Sequence, residues 1–147
     1  MDSLSRVLDL TTSLPERHLD TGEVLFDQGE STPHTVAVLV SGSLDIELGG
    51  AIVSDISLPG TFVGEMGALL GSSRSATVVA GKPSIVRTIG DPDNFFSSHP
   101  ELGLELARQL AARLHRLLAY LAQVRQQHAD AEGHLLLVDR VLSQFSS

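Results

Sequence analysis

Pro59-Gly-Thr-Phe-Val-Gly-Glu-Met-Gly-Ala-Leu-Leu-Gly-Ser-Ser-Arg-Ser-Ala-Thr-Val78 sets four glycines, one carboxylate and one arginine around a short apolar segment. Gly60, Gly64, Gly67 and Gly71 remove side chains where a backbone could come close to a ligand. A helical turn starting near Glu65 or Met66 would point free amide hydrogens at an anion. Arg74 is the first Lys or Arg after Arg17, and its planar fork can clamp phosphate oxygens. Ser75 can add a hydroxyl donor. Glu65 is acceptor-only, so it suits a sugar hydroxyl; beside the phosphate it would repel it. Residues of these types at this spacing fit a small anion that also carries hydroxyls, such as a sugar phosphate.

The charge around this stretch sharpens the reading. The chain has 147 residues and a formal net charge of −8. Residues 1–73 hold eleven acids against Arg6 and Arg17 alone. Such a surface repels phosphate backbones, so broad nucleic-acid binding is not expected. An anion would be drawn in only at a local positive focus. Hydrophobic content of 42% indicates a folded chain with a real core. No apolar run approaches a membrane span, and the N-terminus lacks the basic start and apolar block of a signal peptide. The absence of cysteine excludes a disulfide and a Cys-ligated metal, and fits a cytoplasmic protein.

Outward from the quoted stretch, residues 3–14 place Leu4, Leu8, Thr11 and Leu14 on one helical face, and Pro15 ends that helix. From residue 18 to 89 the pattern becomes short aliphatic and β-branched runs punctuated by turn residues. Val24-Leu-Phe26 precedes Asp27-Gln-Gly-Glu30, and Thr35-Val-Ala-Val-Leu-Val40 precedes Ser41-Gly-Ser43. Leu44, Ile46 and Leu48 alternate with Asp45 and Glu47, which is strand periodicity with one wet face. Gly49-Gly50 tolerates positive φ twice and predicts a tight hairpin into Ala51-Ile-Val-Ser-Asp-Ile56. Thr77-Val-Val-Ala80 and Ser84-Ile-Val-Arg-Thr-Ile89 follow. Seven or eight such strands predict a jelly-roll or small barrel.

Past Gly90-Asp-Pro92 the pattern turns helical. Asn94 to Ser98 reads as one turn, His99-Pro100 as a break, and a long helix runs from Glu101 to about Ala131. Ala107, Leu110, Leu114, Leu117, Leu121 and Val124 form a heptad seam, and Leu102, Leu106, Leu118 and Tyr120 widen it. One side can cover the barrel while another meets a second copy, which predicts a homodimer through residues 107–124. Ala131-Glu-Gly133 breaks the helix, and His134–Phe145 forms a short apolar one. The expected fold is mainly β with α: residues 1–17 as an N-terminal helix, 18–92 as a β jelly-roll barrel, and 93–147 as C-terminal helices.

The run from Phe62 to Val78 resembles the phosphate-binding cassette of cyclic-nucleotide-binding domains. These domains occur in catabolite-activator-type regulators, in the regulatory subunit of cAMP-dependent kinase and in cyclic-nucleotide-gated channels. Gly22-Glu-Val-Leu-Phe-Asp-Gln-Gly-Glu30 and Val36-Ala-Val-Leu-Val-Ser-Gly-Ser-Leu44 are similar to the family's early strands. The resemblance covers residues 14–125. It implies that Glu65 binds the ribose 2′-hydroxyl, that Arg74 pairs with the cyclic phosphate, and that Gly64, Met66 and Gly67 offer backbone contacts. Ser75, Ala76 and Val63 complete the implied cassette site. The long helix is implied as a lid over the base, with Arg113, Tyr120 and Gln123 as contacts. Leu117 and Leu118 stand where the activators place hydroxyl residues against adenine, which leaves the base open. The implied ligand is cAMP, with cGMP as the second candidate.

The expected activity is therefore a non-catalytic cyclic-nucleotide sensor that signals to an effector protein of unknown identity. Two other readings stand beside it. One is the regulatory domain of a transcription factor whose DNA-binding part lies elsewhere, since the tail holds too little chain for a helix-turn-helix. The other is a nucleotide-free scaffold that keeps the fold and dimerises through the long helix. Enzyme readings fare worst. The six histidines have no metal-ligand spacing, and Ser72, Ser73 and Ser75 lack an ordered His and Asp.

Overall fold

The computed structural model describes residues 2–31, 34–127 and 132–145. Two compact units divide it, residues 1–106 and 107–147. In the first, helix α1 (Ser3–Leu10) is followed by β1 (Glu16–Leu19), β2 (Val24–Phe26), β3 (Val36–Ser41), β4 (Leu44–Leu48), β5 (Ala51–Ile56) and β6 (Phe62–Val63). Helix α2 (Glu65–Leu70), β7 (Thr77–Ala80), β8 (Ser84–Ile89), α3 (Pro92–Ser98) and the start of α4 (Pro100–Gln127) complete it. The rest of α4 and α5 (Glu132–Phe145) make the second unit.

The strands form two four-stranded antiparallel sheets, ordered β1-β8-β3-β6 and β2-β7-β4-β5. Between them lies one apolar cluster of Leu19, Leu25, Phe26, Ala37, Leu39, Leu44, Val63, Val78, Ala80 and Val86, with Ile46 and Ile56 packed against it. Every strand contributes, so the cluster closes the sheets over each other as the jelly-roll pattern predicts. The hairpin forms where expected. Gly49 and Gly50 have φ of +58° and +84°, the pair of positive values that a two-residue turn of matching twist needs.

Three elements differ from the sequence expectation. Helix α1 ends at Leu10, not at Leu14, and the residues it buries are Val7 and then Thr11 beyond its end. Thr11 donates its hydroxyl to Val7 O at 2.8 Å, an internal bond that lets a polar side chain enter the core. Strand β1 is charged and largely exposed apart from Leu19, so it carries no hydrophobic alternation to mark it. It pairs as an edge strand with β8, Glu16 facing Arg87. Gly133, expected with Ala131 and Glu132 to break the long helix, lies in the first turn of α5, where the early amides have no intrahelical partner to lose. The expected end of the long helix near Ala131 lies outside the described residues. So do the side chains of Leu135, Leu136 and Phe145.

In the first unit, α1 is tied to α4. Glu105 of α4 is 1% exposed, and its carboxylate accepts from Arg6 Nη1 at 2.8 Å and from the Ser3 hydroxyl. Arg87 Nη1 donates to Leu8 O at 2.7 Å and to Thr11 Oγ1 at 3.0 Å, covering the last turn of α1 from the sheet below.

Candidate functional site

Strand β6 delivers the chain from the core to Gly64, which caps α2 with φ of +84° and ψ of +13°. Only a residue without a side chain accepts this position. A Cβ at Gly64 would lie 2.5 Å from Phe26 Cε2 and 2.9 Å from Arg74 Nη1, besides standing in the left-handed region. Helix α2 ends at Gly71, and the chain returns through Ser72 and Ser73 to Arg74 and β7. The helix is thus a six-residue excursion between two strands, and Glu65 and Arg74 stand at its two feet.

Both charged side chains are inside. Glu65 is 4% and Arg74 5% exposed. Arg74 Nη1 donates to Gly64 O at 2.8 Å, and Nη2 donates to Thr35 O at 2.8 Å and Thr35 Oγ1 at 3.3 Å. Its guanidinium carbon lies 3.8 Å from the centroid of the Phe26 ring. The Arg74 main chain is held by the turn after β2: its N–H donates to Glu30 O and its carbonyl accepts from Gly29 N–H, each at 2.8 Å. Burial draws the guanidinium below the ordinary arginine range, while the charges of Glu30 and Glu65 work against that shift. The arginine thus sits where desolvation strengthens any charge it meets.

The other expected residues fall into four groups. Gly67 is buried beside Arg74, where a Cβ would meet Ser72 O at 3.3 Å and Arg74 Cδ at 3.5 Å. Met66 and Ser75 are exposed and Ala76 half-buried on the outer side of the same segment. Val63 belongs to the apolar core. Arg113, Tyr120 and Gln123 belong to the second unit, where Tyr120 and Gln123 are exposed and Arg113 half-buried. Gly64 and Gly67 therefore make room for the protein's own Phe26 and Arg74, a cause the sequence reading assigned to ligand approach. The contacts of Arg74 with Phe26, Thr35, the Gly64 carbonyl and the Gly29–Glu30 turn escaped that reading. Only Gly22–Glu30, as a stretch of recurring strand and turn residues, hinted at them.

The two-sheet barrel, the α2 excursion and the buried carboxylate–arginine pair coincide with a known domain. The family model for the cyclic nucleotide-binding domain matches residues 16–94, more than half of the chain. The chain belongs to the cyclic nucleotide-binding domain family. This domain is a regulatory fold that binds cyclic nucleotides. A curated relative, the Pycsar effector protein XpPycTIR of Xanthomonas perforans, is 28% identical over 134 residues. That match takes in 85% of this chain and 43% of the effector, so the chain spans under half of the relative's length.

Solved structures agree on the fold. The catabolite activator protein of Thermus thermophilus superposes with a TM-score of 0.64 at 21% identity, covering 97% of this chain and 87% of that one. A chain from a cyclic-GMP-dependent signalling pathway that regulates bacterial phytopathogenesis gives 0.59 at 23% identity, covering 78% and 89%. Among the described residues, no group of His, Cys, Asp or Glu is placed to hold a metal ion. No described helix is long and apolar enough to cross a membrane.

Proposed function

We propose that this cyclic-nucleotide-binding domain is a non-catalytic sensor for cAMP, with cGMP as the alternative ligand. The observation that carries the reading is the buried pair at the feet of α2, Glu65 and Arg74, inside a domain of the nucleotide-binding family. In this reading Arg74 meets the cyclic phosphate and Glu65 accepts from the ribose 2′-hydroxyl. The backbones of Gly64, Met66 and Gly67 add contacts, Ser75 meets the phosphate with Ala76 beside it, and Val63 backs the site from the core. Arg113, Tyr120 and Gln123 of α4 are the proposed contacts for the base.

The output would follow from the division of labour along the chain: α1 (Ser3–Leu10) as a helical prop, β1 to β8 (Glu16–Ile89) as the sensing barrel, and the later part of α4 as the moving helix. Ligand contacts that differ between two positions of α4 would shift its population between them. Exposed Leu114 and Leu117 on α4 support a homodimer seam through residues 107–124, and the shifted helix would present itself to an effector protein in the cytoplasm. A second reading, a regulatory domain serving a longer effector or transcription factor, is favoured by the 43% share of the curated relative that this chain matches.

Melting the protein with and without cAMP or cGMP tests the proposal. A ligand that binds only the folded chain raises the midpoint with concentration; a midpoint that neither nucleotide moves counts against nucleotide sensing and for the scaffold.

A further inference from the structure

Arg74 is constrained from three directions by three separate segments. The Arg74 guanidinium carbon lies over the Phe26 ring, 3.8 Å from its centroid. Gly64 O and Thr35 O hold its edge, each at 2.8 Å. The turn at Gly29 and Glu30 holds its main chain. Phe26 is itself 5% exposed and part of the core cluster between the sheets. The ring therefore cannot turn aside without opening the apolar core, and Gly64 leaves no space on its other flank.

Filling the core does not by itself require a ring at this strand position, since an aliphatic side chain can occupy much of the same volume. What only a ring supplies is a flat, electron-rich face for a cation. The bonds to Gly64 and Thr35 fix where the fork sits, and the ring fixes the plane in which it lies. A guanidinium held in this way loses little side-chain freedom when an anion arrives.

We propose that Phe26 is a positioning residue of the anion site, whose ring sets the plane in which Arg74 meets a singly charged cyclic phosphodiester. This inference rests on the nucleotide-binding reading above. It assigns to a core residue of β2 a share of the affinity for the phosphate end of the ligand, whatever the base.

The test has two parts, both on the full chain. Without ligand, the Arg74 side-chain N–H resonance should carry the ring-current displacement of a group stacked on an aromatic face, and Phe26→Leu should abolish it. An Arg74 resonance that Phe26→Leu leaves in place overturns the proposal. With ligand, cAMP and cGMP are titrated into the unsubstituted chain, Phe26→Leu, Arg74→Gln and the double variant. Phe26→Leu should weaken binding by about tenfold when Arg74 is present and by less than about twofold in the Arg74→Gln background. Equal losses in both backgrounds would mean that Phe26 acts only as a core residue. If Phe26→Leu does not fold, Phe26→Met removes the ring while filling the core with a flexible side chain of similar length. Failure of the unsubstituted chain to bind either nucleotide is a separate result: it refutes the nucleotide reading before any substitution is made, and this inference with it.

Discussion

Arg6 Nη1 of α1 lies 2.8 Å from Glu105 Oε1, and the carboxylate it meets is buried on α4. A helix at the start of the chain thereby anchors the first turns of the helix that carries the proposed output. Because Arg6 is itself 43% exposed, solvent screens the pair and the attraction is a fraction of its buried value. Removing the arginine still withdraws a charge-assisted donor from a buried carboxylate. Arg6→Ala should cost about 1–2 kcal/mol, read as a lower denaturant midpoint at unchanged slope. Arg6→Lys should recover part of it. Equal midpoints for all three chains would mean that α1 does not brace α4.

Arg74→Ala should weaken binding of the cyclic nucleotide by about 1.5–3 kcal/mol, the loss of one charge-assisted phosphate contact. It also removes the bonds to Gly64 O and Thr35 O, so the same variant should melt at a lower temperature. Calorimetric titration and melting separate the two effects. Arg74→Lys keeps the charge without the fork and should fall between the two chains in affinity. Unchanged affinity in Arg74→Ala would place the ligand elsewhere.

Gly64 offers a steric test of the same site. Gly64→Ala forces a Cβ into contact with Phe26 and Arg74 at a φ of +84°, which should cost about 1–3 kcal/mol of stability. The neighbouring Gly71→Ala, also at positive φ but with nothing within 4 Å, should cost only the backbone strain, about 1 kcal/mol. Nucleotide affinity should fall for the first variant and hold for the second. Similar losses of affinity in both would show that packing around Arg74 is not what the glycine protects.

Much of this organisation was legible in the chain before its fold was known. The Gly49-Gly50 hairpin, the alternating Leu44, Ile46 and Leu48, and the feet of α2 carry local signals of turn chemistry and period. What stayed hidden is long-range. Glu105 reads as one more charge on a helix, and nothing near it in sequence announces that Arg6 and Ser3 come to meet it. Phe26 reads as a strand residue, while its partner Arg74 follows in another sheet connection. Strand β1, with Glu16, Arg17 and His18 exposed, has no alternation because an edge strand needs only one buried residue, Leu19, to take its place.

Acid should undo the cap of α1 only below the ordinary aspartate range. The Ser5 amide donates to Asp2 Oδ1 at 2.8 Å and holds that carboxyl below its ordinary value. A carboxyl with a depressed folded pKa stabilises the fold fully above its unfolded value and loses the contribution as pH falls through the folded one. The Ser5 amide resonance should therefore titrate at a pH below the ordinary aspartate range. Asp2→Asn, which keeps a cap but no charge, should abolish that titration and leave α1 formed at neutral pH. Persistence of the titration in Asp2→Asn would assign it to another group.

Calorimetric titration of the unsubstituted chain with cAMP and with cGMP tests the central claim most directly. At least one of them should bind saturably, one nucleotide per chain, with binding abolished or strongly weakened by Arg74→Ala. Absence of saturable heat with both nucleotides at millimolar concentration, or binding that Arg74→Ala leaves intact, would contradict it.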